Sequence, residues 1–197
     1  MPAQVPGRRS HKRRKNGRVP RHIVLLRGIN IGSRNRIAMP KLRTVLEAAG
    51  FEDVASYLQS GNVVLSSRAD PADDVRRVIT DEFGLDIAVV TRTRAELAKV
   101  VAHNPLARVA KEPKRYQVSF CDAKPSREVV RLIEDTAAPG ERVVVHGREI
   151  YAWHPDTIAR SKLWALLAGQ KLGVTATARN WATVRKLLEL ADASAPS

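Results

Sequence analysis

Short apolar runs and helical stripes alternate along the first half of the chain and predict its fold. Apolar residues in strand-like runs are followed by stripes at helical spacing, with Pro40 suited to the first turn of one helix and Gly50 and Gly84 to two helix ends. Ser60-Gly61 is a hairpin signal. The order is β-α-β-β-α-β, the ferredoxin-like unit. The predicted elements are a strand 22–28, a helix 40–49, strands 54–59 and 62–66, a helix 70–83 and a strand 86–91.

A similar order of elements recurs in the second half. Thr93 and Glu96 form a capping box that opens an intervening helix, and a polar segment, 106–114, follows it. We therefore predict the fold class α+β, with two ferredoxin-like (α/β-plait) subdomains packed side by side. The predicted elements of the second half are strands 116–121, 142–146 and 149–153, a helix around 129–133, a helix 161–171 and a last helix around 181–188.

The resulting domain organisation has two disordered ends. We predict a disordered basic tail 1–21, a first plait 22–92, a helix and connecting loop 93–114, a second plait-like subdomain with C-terminal helices 115–191, and a disordered tail 192–197. The chain of 197 residues carries a net charge of +14, and the segment 1–21 supplies eight of those charges, leaving +6 for the rest.

The basic tail 1–21 has three interpretations. It is an arm that binds polyanions nonspecifically, a solvated extension with no dedicated role, or an artefact of gene prediction. The last applies to a bacterial source, because Val19 lies just before the first strand and GTG can serve as a start codon. The sequence alone leaves open whether residues 1–18 belong to the native protein.

Composition favours a cytoplasmic protein with an ordinary core. The hydrophobic fraction of 44% is sufficient for such a core, and no apolar run approaches the roughly 20 residues of a membrane span. The basic N-terminus lacks the apolar region of a secretory signal. The single cysteine, Cys121, excludes an intramolecular disulfide, fits a reducing compartment, and lies in an apolar run that predicts a buried thiol.

The candidate chemistry is concentrated in the loop between the first strand and the first helix, at residues 27–36. Glycines allow backbone N–H groups to turn toward an anion, and arginines offer forked donors to phosphate or carboxylate. Arg27 ends an apolar strand and therefore requires an acidic partner or a ligand. The alternative is a loop with tight turns and solvated arginines. The candidate residues of this loop are Arg27, Gly28, Asn30, Gly32, Arg34 and Arg36.

Two further groups contain candidate binding residues. The hairpin residues Gln59, Ser60 and Asn62 would face the same cleft as the loop, or else hydrogen-bond their own backbone. Near the C-terminus, cationic and amide side chains stand where two helices are predicted to open, and Trp181 is either a core residue or a surface for stacking on a base. The C-terminal candidates are Lys162, Arg179 and Asn180.

No reaction can be predicted from the sequence. None of the five histidines stands with another ligand at a metal-binding spacing, and there is no Gly-x-Ser-x-Gly nucleophile motif. The spacing of Gly28 and Gly32 matches neither the dinucleotide fingerprint nor the Walker A motif. Catalytic residues are therefore unknown, no metal site or cofactor is predicted, and catalysis stays an open question.

Three functions compete. The first is binding of an anionic ligand, phosphate- or carboxylate-bearing, or of nucleic acid, through the loop 27–36. Aromatic residues are only 5% and absent from the first strand, which disfavours nucleic-acid binding of the RRM type. The second is an enzyme that acts on a phosphorylated or carboxylated small molecule. The third is a structural or self-associating protein, with its oligomeric state unknown.

Four motifs together resemble one family. They are Leu-Leu-Arg-Gly-Ile-Asn-Ile-Gly at 25–32, the Gln-Ser-Gly-Asn core of 57–63, Ser-Lys-Leu at 161–163 and Arg-Asn-Trp at 179–181. In this order they resemble the bacterial family catalogued as domain of unknown function 1697, over residues 22–190. The resemblance implies a two-part α/β-plait architecture and no established reaction, substrate or cofactor. Arg160 and Ala178 depart from the glycine and threonine that family members usually have there.

Overall fold

Two four-stranded antiparallel sheets, each with its own helices, form the protein. The structure is a computed structural model that describes residues 19–169 and 171–193. Most of the two predicted tails, residues 1–18 and 194–197, lies outside the described residues. Each sheet has the strand order of the ferredoxin-like plait, so the predicted fold class is confirmed.

The first half follows the predicted order of elements. Its sheet has the order β2-β3-β1-β4, with all neighbouring strands antiparallel. A third helix follows β4 and begins with the predicted capping box of Thr93 and Glu96. The elements are β1 (Arg21–Leu26), α1 (Met39–Ala48), β2 (Glu52–Tyr57), β3 (Asn62–Ser66), α2 (Ala72–Phe83), β4 (Val89–Thr93) and α3 (Arg94–His103).

The second half repeats this order in full. Its sheet has the order β6-β7-β5-β8, which corresponds strand by strand to that of the first half. A 3-10 turn, Ile158–Arg160, precedes its second helix. The elements are β5 (Tyr116–Cys121), α4 (Arg127–Thr136), β6 (Arg142–His146), β7 (Glu149–Trp153), α5 (Lys162–Ala168), β8 (Ala176–Asn180) and α6 (Trp181–Asp192).

Three elements differ most from the sequence prediction, and the bounds of several others shift by about two residues. β4 begins at Val89, because its regular pairing with β1 ends where Val89 lies opposite Leu26, the last residue of β1. The helix predicted at 161–171 is the shorter α5, which ends at Ala168 before Gly169. β8 was not predicted at all, and it pairs with β5 from Gln117 to Cys121.

The core has three parts. One lies between the first sheet and α1 and α2, and another between the second sheet and α4 and α5. The central part joins side chains of both sheets to α3 and α6, where Trp181 stacks on Tyr116 with ring centroids 4.8 Å apart. Because this central core draws on both halves, the two subdomains pack as one body, and the predicted subdomain boundaries stay a prediction.

Arg92 of β4 reaches from the first half into the second. It is 1% exposed, and its Nε donates to Glu149 Oε1 at 2.8 Å. Its Nη2 donates to the carbonyl oxygens of Cys121 at 2.8 Å and of Arg148 at 3.3 Å. One buried guanidinium therefore holds the end of β5 and the start of β7 against the first sheet.

Arg179 of β8 makes the reciprocal connection. Its Nε donates to Asn62 Oδ1, and its Nη2 donates to the carbonyl oxygens of Leu26 at 2.9 Å and Gly61 at 3.2 Å. Like Arg92, it is the fourth residue of the last strand of its sheet, and it holds the end of β1 and the start of β3. The two halves thus exchange equivalent arginines.

Candidate functional site

The loop 27–36 is an ordered excursion between β1 and α1. Ile29 and Ile37 are both 2% exposed and anchor its two ends in the core of the first half. Between them, Asn30 accepts from the backbone N–H of Ile37 at 2.9 Å and donates from Nδ2 to the carbonyl oxygen of Gln59 at 2.7 Å. The amide of Asn30 therefore fixes the loop to the β2–β3 turn.

A second asparagine closes the loop on itself. Asn35 donates from Nδ2 to the carbonyl oxygen of Gly28 at 3.1 Å, and Ile31 and Arg34 form an isolated antiparallel bridge. A side chain at Gly28 or Gly32 would meet no described atom within 4 Å, so neither glycine is required by close packing. The loop holds its shape through these polar contacts.

Arg34 and Arg36 point away from the protein. Both are exposed, and within the described residues neither guanidinium has a hydrogen-bond or ion-pair partner. The segment 27–46 contains five basic residues and no acidic residue. The described surface here is accordingly basic, and it also carries the exposed side chains of Ile31 and Leu58, at 68% and 56% exposure.

The β2–β3 turn lies against this loop. Gln59 and Ser60 are exposed, and the Gln59 side chain has no hydrogen-bond partner among the described residues. Asn62 is fully buried: its Nδ2 donates to Tyr57 O at 2.8 Å and to Ser60 Oγ at 3.0 Å, and its Oδ1 accepts from Arg179. Asn62 is therefore engaged entirely with the protein.

The structure places Arg179 beneath this surface and not upon it. The sequence predicted that Arg179 opens a helix, but in the structure it lies in β8 and is only 7% exposed. Its guanidinium donates to the carbonyl oxygens of Leu26, Ser60 and Gly61. Burial lowers the pKa of Arg179 to about 10, which still leaves it charged at neutral pH. Its hydrogen-bond partners among the described residues are all neutral, so none of them is a carboxylate that would offset this buried charge.

Arg27 stands between the loop and the second half. It is half-buried, and its Nη2 donates to the carbonyl oxygen of Gly169 at 2.8 Å. It also lines a cleft of about 400 Å³ between the halves, together with Asp122 and Thr175. The sequence predicted an acidic partner or a ligand for Arg27. In the structure its hydrogen-bond partner is the backbone carbonyl of Gly169, and the carboxylate of Asp122 lines the same cleft.

Lys162 and Asn180 are not brought to the loop by any contact in the described part of the chain. Lys162 is exposed at the start of α5. Asn180 Oδ1 accepts from the backbone N–H of Thr183 at 2.9 Å and caps α6, as an asparagine before a helix commonly does. The structure therefore joins the loop and the β2–β3 turn, with Arg179 behind them.

Sequence reasoning missed one polar cluster, in the second half. Glu141 Oε1 lies 2.7 Å from His154 Nδ1 and accepts from Ser161 Oγ at 2.5 Å. Burial opposes ionisation of Glu141, but hydrogen bonds from Ser161, the Ala138 N–H and His154 lower its pKa. No spacing signal marks these residues, because they come from a turn, a strand end and a helix cap.

Cys121 is not a candidate nucleophile. It is fully buried, as predicted, and burial raises the pKa of its thiol to about 12. The described residues contain no group of three or more histidine, cysteine or acidic side chains that could hold a metal ion. Nor does any described helix have the length and apolar character needed to cross a membrane.

This two-part α/β-plait architecture is the one that the resemblance of the sequence motifs implies. The family model described as "Protein of unknown function (DUF1697)" matches residues 19–151. The chain belongs to the DUF1697 family.

A solved structure shares the fold. It is that of the conserved bacterial protein SP0830 from Streptococcus pneumoniae, which has 20% sequence identity and a TM-score of 0.69 over 88% of this chain and 99% of that one. No curated protein matches the sequence. These comparisons establish a family and a fold, and neither of them identifies a ligand or a reaction.

Proposed function

We propose that this protein binds the phosphate backbone of nucleic acid through the loop 27–36. The observation that carries the proposal is the pair Arg34 and Arg36, two exposed guanidinium groups without partners in the described chain, on a loop that Asn30 holds in place. A fixed loop lowers the entropic cost of binding. Arginine is the cation best suited to phosphate, since it donates two parallel hydrogen bonds.

Charge behind the loop supports the same proposal. Arg179 lies under the β2–β3 turn, contacts the carbonyl oxygen of Ser60, and has no carboxylate among its described hydrogen-bond partners. Segment 54–69 of the adjoining strands contains no acidic residue. A buried charge is screened by salt less than an exposed one, so Arg179 adds positive potential to the surface above it.

The exposed shape favours a polymer over a small molecule. Small ligands bind in concave sites, and Arg27 lines a cleft, whereas Arg34 and Arg36 are exposed on the loop. Phosphate backbones need exposed cations in a row, which Arg34 and Arg36 provide. Ile31 and Leu58 add apolar area beside them that suits contact with bases. We further propose a cytoplasmic location, where such a ligand is present.

Paired double variants of the full-length chain test the proposal. Arg34→Gln/Arg36→Gln removes two loop charges, and Arg127→Gln/Arg131→Gln removes two exposed charges of α4 as a matched control. Binding of a labelled single-stranded oligonucleotide is measured by fluorescence anisotropy over a range of salt concentrations. The N-terminal segment is present in all three proteins, so its contribution is the same in each.

The loop variant should bind about tenfold more weakly than the control. The slope of log affinity against log salt should fall by about 0.7 for each phosphate that the variant no longer neutralises, because fewer counterions are released. The control should retain the wild-type slope. Equal reductions of affinity in the two double variants would overturn the proposal, since they would reduce binding to an effect of net charge.

A further inference from the structure

One buried nitrogen in the second half lacks a partner among the described residues. His154 is 1% exposed, and its Nδ1 lies 2.7 Å from Glu141 Oε1, whereas its Nε2 is closed off from solvent and has no hydrogen-bond partner there. An ionised carboxylate only accepts hydrogen bonds, so Nδ1 carries a proton, and in the tautomer protonated at Nδ1 alone Nε2 presents a lone pair. Buried polar atoms without partners are rare in folded proteins.

The rest of the cluster has a structural explanation. Ser161 Oγ accepts from the backbone N–H of Trp164 at 2.9 Å and caps α5, and Glu141 Oε2 accepts from the backbone N–H of Ala138 at 2.9 Å. These contacts explain why a serine and a glutamate are present. They leave His154 Nε2 unexplained, because its partner is not supplied by the described protein around it.

A cleft of about 530 Å³ lies beside this cluster. His154, Glu141 and Ser161 line it, and exposed Arg160 stands at its rim without a hydrogen-bond partner for its side chain among the described residues. Arg115 also lines the cleft, and its Nη1 donates to the carbonyl oxygen of Pro155 at 2.6 Å. The cleft therefore combines an unused cation with an unused acceptor.

We propose that this cleft binds a small molecule that carries both an oxyanion, phosphate or carboxylate, and a hydroxyl or amine donor. Arg160 binds the oxyanion, His154 Nε2 accepts from the donor, and Glu141 holds the imidazole in the required tautomer. Thr157 and Arg160, at the two ends of the 3-10 turn region, line the same cleft as His154, which places the proposed cation beside the imidazole. This site is independent of the loop 27–36.

The first measurement is the tautomer of His154 in the full-length protein. A long-range ¹⁵N–¹H NMR spectrum at neutral pH should show protonated Nδ1 and unprotonated Nε2. A ring protonated at both nitrogens would overturn the proposal, because it could not accept a hydrogen bond from a ligand.

The second measurement uses matched probe pairs that differ by a hydroxyl group. 2-Hydroxyethyl phosphate is compared with ethyl phosphate, and lactate with propionate, while the His154 ring and Arg160 side-chain signals are followed. At least one hydroxylated probe should cause saturable shifts at both residues and bind about tenfold more tightly than its partner. The pair that responds distinguishes phosphate from carboxylate.

Two variants complete the test. Arg160→Gln should weaken binding of the responding probe about tenfold or more, and Arg131→Gln, on the surface of α4, should leave it unchanged. Absence of saturable shifts at His154 with all four probes would overturn the proposal. So would a response that persists unchanged in Arg160→Gln, since it would not depend on the proposed cation.

Discussion

Arg92 and Arg179 each connect the two halves of the protein, but they differ in the charge of their side-chain partners. Each spans from the last strand of its own sheet to carbonyl groups of the other half, but Arg92 also pairs with the carboxylate of Glu149, and Arg179 meets the neutral amide of Asn62. A charge paired with a carboxylate produces little field at a distance. The difference between Glu149 and Asn62 therefore concentrates uncompensated positive charge on the side of the molecule that carries the arginine loop.

The first prediction concerns the stability that Arg179 provides. Replacing Arg179 by leucine removes the donor to the carbonyl oxygens of Leu26, Ser60 and Gly61 and to Asn62 Oδ1, so Arg179→Leu should lower the free energy of unfolding by about 3 kcal/mol. The measurement is urea denaturation. Arg185→Leu, on the exposed face of α6, is the control and should change stability by no more than about 0.5 kcal/mol. Equal midpoints for the two variants would contradict the role given to Arg179.

Two asparagines of the candidate site have contacts that residue type alone does not predict. Asn30 is a predicted ligand-binding residue of the loop 27–36, and Asn62 is one of the hairpin beside it. In the structure both side-chain amides hydrogen-bond within the protein. Asn30 connects the loop to the backbone of Ile37 and Gln59, and Asn62 connects the backbone of Tyr57 to Arg179. These hydrogen bonds depend on the positions of groups that are distant in sequence, and a single sequence does not reveal those positions.

At the scale of elements, the pattern of the chain predicted strands and helices where local signals were strong. The strands 116–121, 142–146 and 149–153 match the structure, as does the capping box of α3. β8 was missed because Ala176 and Ala178 give only a weak apolar alternation and Thr177 and Arg179 are buried polar residues. Its assignment as a strand comes from pairing with β5, a tertiary contact.

The β2–β3 turn yields a second prediction. A side chain at Gly61 would lie 2.7 Å from Leu26 Cβ and 2.9 Å from Ile29 Cδ1, and the backbone there has a φ of +76°. Gly61→Ala should therefore combine backbone strain of about 1 kcal/mol with overpacking of about 1–3 kcal/mol. Chemical denaturation measures the decrease in the free energy of unfolding.

Gly84→Ala is the matched control for this prediction. Gly84 has a similar φ of +65° but no described atom within 4 Å of the added carbon, so the control should show the strain alone. Destabilisation of the same size in Gly61→Ala and Gly84→Ala would show that the close approach of the turn to Leu26 contributes nothing.

At the scale of the whole molecule, the two halves depend on each other. The central core takes side chains from both sheets and from α3 and α6, and the exchanged arginines cross the same boundary in opposite directions. Leu26, Gly61, Asn62 and Arg179, which belong to the motifs that resemble the family, lie on this boundary. In this chain these four residues maintain the architecture, and candidate binding residues are those that the architecture does not engage.

The exposed residues of the loop are where the sequence was most informative about the candidate site. Arg34 and Arg36 were selected as candidate anion ligands because they are arginines of a glycine-containing loop that leads into a helix, and in the structure they are exposed without partners in the described chain. Arg27 and Arg179, selected on similar grounds, are bound to carbonyl groups of the protein. The burial of an arginine decides whether its guanidinium is available to a ligand or is bound to carbonyl groups of the protein. Amino-acid composition does not predict that burial.

The most direct test of nucleic-acid binding by the loop is to map the contact surface in solution. Isotopically labelled full-length protein is titrated with a single-stranded oligonucleotide, and NMR shifts of backbone amides and arginine side chains are recorded. The proposal predicts the largest shifts in the loop 27–37 and in the turn 58–61, with Arg34 and Arg36 side chains among them. Shifts confined to residues 1–18, or to α4, with the loop unchanged, would contradict it.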